Sequence, residues 1–104
     1  MTDLFRALSD STRREILHLT AQKEWTQSDL VAAFTISQPA IKKHLDILLK
    51  MDLLLERKEG KYRYYSLNQE NYRQQSMRAK LEIDQILEQK LMKLRHFMEE
   101  EQYE

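Results

Sequence analysis

Gln38, Lys42 and Lys43 lie within one short stretch, FTISQPAIKKHLDIL at residues 34–48, with the hydroxyls of Thr35 and Ser37 just ahead of them. These side chains suit the edges and backbone of a nucleic acid. A glutamine amide pairs bidentately with adenine, and lysines reach guanine acceptors or phosphates. Hydroxyls suit phosphate oxygens. Pro39 adds a compact apolar surface of the kind that meets a thymine methyl.

The element that must carry them is a helix. Ser37 caps it, and Gln38-Pro39-Ala40 forms its first turn, where a proline is tolerated because those N–H groups lack intrahelical partners. Ile36 and Ile41 form the pattern of a hydrophobic staple. At 100° per residue, Ile41, His44, Leu45 and Leu48 gather on one side. Pro39, Lys42, Lys43, Asp46 and Lys50 gather on the other, with Gln38 at the border. Asp46 is wrong for a phosphate-facing site, but Lys42 and Lys50 lie one turn away on either side and neutralise it. The bland alternative, a lysine pair on a solvated face, loses ground because of what surrounds the pair.

Ahead of this helix, Leu4, Phe5 and Leu8 mark a short first helix with Asp3 as its cap. Asp10 or Ser11 caps a second, TRREILHLT, running to about Thr20, and AQKE reads as a connection. Thr26-Gln27-Ser28-Asp29 has the form of a capping box and opens a third helix with Leu30, Val31 and Phe34. Two helices joined by TIS make a helix-turn-helix. Behind it, Leu53–Lys58 and Lys61–Ser66 read as two strands around a turn at Glu59-Gly60, which uses the chain's one glycine. This hairpin is a basic wing: Arg57, Lys58, Lys61 and Arg63 are placed to reach the DNA backbone or a minor groove. Charge on an exposed edge also discourages aggregation, and the two roles are compatible. Tyr62, Tyr64 and Tyr65 read as packing residues rather than base-stackers. A lone hairpin is marginal and must lean on the helices.

From Asn68 the pattern is helical almost to the end. Ile83, Leu87, Leu91, Leu94 and Met98 recur three or four apart, and Ile86 and Phe97 widen the stripe. That stripe is longer than the core of a 67-residue domain needs. Folding back as internal core is one use for it. Packing against a second copy, joined by Leu4, Phe5 and Leu8, is the sharper one. The expected organisation is a DNA-binding domain at 1–67 and a dimerisation helix at 68–104, mainly α with a small β-hairpin.

Composition narrows the classes. The 104 residues hold one glycine and one proline, against an all-β fold. Net charge is zero, but residues 35–66 carry seven Lys/Arg against four Asp/Glu, and residues 68–104 carry six against eight. No cysteine is present, which excludes disulfides, thiolate metal sites and cysteine nucleophiles. There is no glycine-rich phosphate loop and no metal triad, so an enzyme is not expected. His18 and His44 fall near apolar positions and read as packing or polar-edge residues. No apolar run approaches a membrane span and no signal-peptide core is seen, so a cytoplasmic protein without membrane contact is expected.

LFRALSDSTRREIL, SQPAIKKHLDIL and KEGKYRYYSLN, in this order and spacing over most of residues 3–68, resemble the ArsR-type winged helix-turn-helix transcriptional repressors of bacteria. The resemblance implies a homodimer on an inverted-repeat operator in double-stranded DNA. The first and last helices would form the dimer contact, and the fourth would read the major groove through Ser37, Gln38, Lys42 and Lys43. The chain departs from the pattern in places. Lys42-Lys43 stands where many relatives have Ser-Arg, and Ser11 replaces a common proline. One metal-sensing class has cysteines where this chain has Thr26 and Ser28, neither a useful soft-metal ligand. Another uses Asp and His on the last helix, where this chain has Asp84 but Ile86 at an expected His. Only His96, with Glu99 or Glu100, remains to join Asp84 across a dimer. The resemblance is therefore to the metal-independent branch, with no cofactor. A metal- or ligand-responsive repressor and a protein-interaction module on the same scaffold are the alternatives.

Overall fold

The computed structural model describes residues 4–102; the cap expected at Asp3 lies outside them. The order is α1 (Leu4–Leu8), α2 (Ser11–Gln22), β1 (Trp25–Thr26), α3 (Gln27–Ala33), α4 (Gln38–Lys50), β2 (Leu54–Glu59), β3 (Tyr62–Leu67) and α5 (Gln69–Gln102). Mostly helical, it carries one antiparallel sheet in the order β1-β3-β2.

Local chemistry sets the helix starts. Asp10 caps α2 by accepting from the Thr12 and Arg13 N–H groups at 2.8 and 3.1 Å. Thr26 accepts from Asp29 N–H at 3.1 Å, and Ser37 from Ala40 N–H at 3.3 Å. Asn68 does the same for α5, accepting from Asn71 N–H. These bonds satisfy donors that every helix start leaves orphaned. Asp10 also has its carboxyl held below the usual value, chiefly by the Arg13 backbone N–H and also by the charge of His44. A depressed carboxyl stabilises the fold above its unfolded pKa and loses that contribution as pH falls through the folded value. Asp10→Asn keeps the cap but removes this titration. Its stability should therefore fall less steeply with pH below about 4, as urea unfolding followed by circular dichroism across acidic buffers would read.

The core sits where α1, α2, α3 and α4 meet the base of the sheet. Ile16, Leu30, Ile41, Leu45, Leu48 and Leu53 are fully buried, joined by Leu17, Met51, Leu54 and Tyr65. Each such aliphatic side chain contributes about 1.5–3 kcal/mol by leaving water. Thr20, also buried, returns its hydroxyl to Ile16 O at 2.7 Å. Leu4 corrects an expectation: it is only 5% exposed and belongs to the chain's own core, so it is not free for a partner. Leu8 is partly buried against that core, whereas Phe5 stays 40% exposed. Ile36 stays 37% exposed above a fully buried Ile41, so the expected staple covers Ile36 only in part.

Two other details differ from expectation. Glu59 pairs with Tyr62, so the hairpin turn is Gly60-Lys61, one residue later than expected. Gly60 has φ +60°, and Lys61 does not share a positive φ. A type II′ turn needs just that, a positive φ at its first central residue alone. Second, Trp25, which the pattern left unassigned, and Thr26, read only as a cap, pair with Tyr65 and Tyr64 as a third strand. The Trp25 indole N–H donates to Leu19 O at 2.9 Å and fastens that strand to α2.

Helix α4 stops at a Schellman arrangement without glycine. Asp52, at φ +57°, donates its N–H to Leu49 O, and Leu53 donates to Leu48 O, both at 3.0 Å. Leu48 and Leu53, both buried, supply the apolar contact that accompanies the motif. A left-handed conformation costs a non-glycine residue roughly 1–2 kcal/mol, less for Asp. Asp52→Gly should accordingly raise stability by about 0.5–1 kcal/mol, measured as a shift of the urea midpoint at unchanged slope.

Helix α5 does not fold back. Its first turns are seated, with Tyr72 and Ala79 packed on the core. Asn71 donates to Met51 O and Asp52 O at 3.3 and 2.8 Å, and Gln75 to Met51 O at 3.1 Å. Beyond them the helix runs clear of the domain, and the molecule measures 75 × 27 × 24 Å. Ile83, Ile86, Leu87, Leu91, Leu94, Phe97 and Met98 are all 49–63% exposed. No helix among the described residues is long and apolar enough to cross a membrane.

Candidate nucleic-acid interface

With Ile41, Leu45 and Leu48 buried, α4 turns its other side to solvent. Gln38, Pro39, Lys42, Lys43, Asp46 and Lys50 are all exposed, as are Thr35 and Ser37 just before the helix. The N-terminal N–H groups and the positive end of the helix dipole lie at Gln38, which favours an anion there. His44 is on the inner flank. Its Nδ1 lies 3.2 Å from Arg13 Nη1 and its Nε2 3.9 Å from Asp10 Oδ1, so it joins α4 to the start of α2.

A groove of about 400 Å³ opens between the helix-turn-helix and the wing. Thr26, Gln27 and Ser28 at the start of α3 form one wall, and Gln38 at the start of α4 another. Lys61, Tyr62 and Arg63 of the wing close it. Two helix starts and two cations thus border one open, polar groove, an arrangement that suits a phosphodiester.

The wing residues divide between two faces. Side chains alternate along a strand, and the pairs Glu56–Tyr65 and Lys58–Arg63 fix the register. Lys58 and Arg63 therefore share the face of buried Tyr65, at the tip beyond the core. Arg63 also lies 4.0 Å from Glu56. Burial first, and then the Glu56 charge, push the Tyr65 hydroxyl above its usual pKa.

Arg57 is on the opposite face and is placed differently from expectation. Its guanidinium forms two hydrogen bonds of 3.0 Å to Glu24 and one of 2.7 Å to Glu59. It also lies over the Tyr64 ring, 4.4 Å from the centroid. It reaches from β2 across β3 to the residue just before β1, since Tyr64 pairs with Thr26 on one side and with Arg57 on the other. These two carboxylates hold Arg57 further above its already high pKa, and Arg57 in turn holds Glu24 low. The guanidinium braces the sheet instead of facing the groove. Sequence patterning could not find this bond, because Glu24 is 33 residues away.

Among the described residues no three His, Asp or Glu side chains gather closely enough to hold an ion. Asp84 pairs with Lys80 at 2.7 Å and His96 with Glu100 at 3.0 Å, each along one helix face. Asp84 and His96 are 12 residues apart, about 18 Å along the helix axis. The Thr26 hydroxyl is engaged as the α3 cap.

The family model described as "Bacterial regulatory protein, arsR family" matches residues 10–55. The transcriptional repressor SdpR of Bacillus subtilis is 41% identical over 68 residues, 65% of this chain and 76% of that protein. The arsenical resistance operon repressor of Staphylococcus aureus is 37% identical over 68 residues, which is 65% of this chain. The chain spans just under two thirds of the staphylococcal protein, 65% of its length. An ArsR-like transcriptional regulator from Rhodococcus sp. RHA1 superposes with a TM-score of 0.75 at 28% identity, covering 92% of this chain and 87% of that one. A possible transcriptional regulator for arsenical resistance gives 0.72 at 30% identity, covering 84% and 95%.

Proposed function

We propose, from the premise that this chain belongs to the ArsR family of bacterial regulatory proteins, that it is a homodimeric repressor occupying an inverted-repeat operator. The observation that carries the reading is α4 itself. Its apolar side is locked into the core while Gln38, Lys42 and Lys43 stand exposed beside an open cationic groove. Gln38 and the two lysines read the major groove. Thr35 and Ser37 take phosphates, and Pro39 lies against a base methyl. Lys58, Lys61 and Arg63 steady the flanking backbone, and Arg57 supports them from behind. Residues 1–67 then form the DNA-binding domain and 68–104 the dimerisation helix, although Asn71 and Gln75 knit the two together.

The dimer rests on the uncovered stripe of α5, with Phe5 beside it. A two-fold dimer sets its reading helices roughly 34–36 Å apart, one DNA turn. The lack of any cysteine in the chain supports a metal-independent repressor. The staphylococcal relative's name ties it to arsenical resistance, but soft ions call for thiolates. The absence of a long apolar helix among the described residues fits a cytoplasmic protein that acts without a membrane.

Selection of bound genomic fragments followed by footprinting tests the reading. Protection of two half-sites about 10–10.5 base pairs apart, centre to centre, is the expected result. Failure to retard any promoter fragment, together with tight capture of a protein partner, would move the scaffold to protein recognition instead.

A further inference from the structure

A second cavity, of about 360 Å³, lies away from the reading face, between α2 and the start of α5. Its walls are apolar: Leu17 and Ala21 from α2, Leu8 from the end of α1, and Leu67 from the end of β3. Tyr72 of α5 closes one side. The size falls at the lower end of the roughly 300–1,000 Å³ that small-molecule pockets occupy.

Two polar side chains share the rim, Arg14 and His18, and no carboxylate lines the cavity. They are four residues apart on α2 and so stand one above the other on the same helix face. The Arg14 guanidinium is steadied by donating one N–H to Leu8 O. Among the described residues, its remaining donors have no other protein acceptor, and neither His18 nor the Tyr72 hydroxyl has a side-chain partner. An arginine held by one nitrogen at the mouth of an apolar pocket keeps a planar pair of donors for a carboxylate.

We propose that this cavity binds a small apolar monocarboxylate, its hydrocarbon among Leu17, Leu67 and Tyr72 and its carboxylate on Arg14 and His18. The chemistry favours this class over the alternatives. A phosphate would gain nothing from the apolar floor, and a neutral hydrocarbon would leave the guanidinium unused. The site touches the seat of α5, which makes it an effector site if the repressor reading holds. The binding itself is independent of that reading and is measured without DNA.

Benzoate serves as the probe, with benzyl alcohol and benzylamine as matched controls, titrated into the full chain by calorimetry and amide NMR. Benzoate should bind once per chain, more tightly than either control, and shift resonances around Ala21 and Leu67. Arg14→Gln should weaken it tenfold or more, and Arg14→Lys less. Ala21→Trp, at an exposed position, should fill the cavity and abolish binding while leaving the circular dichroism unchanged. No saturable benzoate binding at millimolar concentration would overturn the proposal. So would equal affinity for benzyl alcohol, indifference to Arg14→Gln, or shifts confined to another part of the chain.

Discussion

Glutamate at both Leu87 and Leu94 should convert the protein to a monomer and cut its operator affinity about a hundredfold or more. Both side chains are about half exposed in the single chain, so the substitutions remove nothing from its core. In the proposed dimer they sit at the centre of the seam. There, four carboxylates would meet one another in a desolvated interface, at a cost well beyond the lost apolar contact. A monomer holds one half-site at a time and falls toward non-specific affinity, which is commonly a thousandfold or more weaker than specific binding. Analytical ultracentrifugation reads the first effect and gel retardation the second, with circular dichroism confirming an intact winged domain. A double variant that still sediments as a dimer would place the partner contact elsewhere.

Alanine at both Lys42 and Lys43 should leave the dimer intact and weaken operator binding by roughly ten- to a hundredfold at moderate salt. The sharper readout is the slope of log affinity against log salt, which should flatten by about two, near 0.9 for each phosphate charge lost. Neither lysine has an ion pair among the described residues, so both ammonium groups are uncommitted. Arg57→Gln is the matched control. Glu24 and Glu59 already neutralise that guanidinium, so its loss should soften the wing without changing the slope. An unchanged slope in the lysine variant, or a flattened one in the arginine variant, would reverse the assignment of these cations.

Helix α4 was legible because everything that defines it is local. Ser37, Pro39 and the spacing of Ile41, Leu45 and Leu48 occupy 12 consecutive residues, and helix periodicity alone sorts inside from outside. Strand β1 was not legible. Two residues carry no period, and their pairing depends on a strand nearly 40 positions away. The wing turn slipped by one because a single glycine fits either central position; only the register of Glu59 against Tyr62 decides. Leu4 was assigned to a partner because an apolar residue at helix spacing looks the same whether it meets its own core or another copy. Asp52 hid a left-handed helix end because the residue usually found there is glycine. Arg57 looked available because its acceptors are distant in sequence or share its strand.

The bonds from Asn71 and Gln75 to the carbonyl of Met51 have a mechanical consequence. They pin the end of α4 to the first turns of α5, so a rotation of α5 should carry α4 with it. In the proposed two-fold dimer each α4 would sit roughly 17 Å from the axis, half the expected half-site spacing. Pivoting one subunit by about 10° about that axis would carry its α4 roughly 3 Å across the duplex, about a quarter of the ~12 Å width of the major groove. A modest change of angle where the long helices cross in that proposed dimer would thus lift the α4 helix off its proposed half-site, with no exposed residue of α4 disturbed.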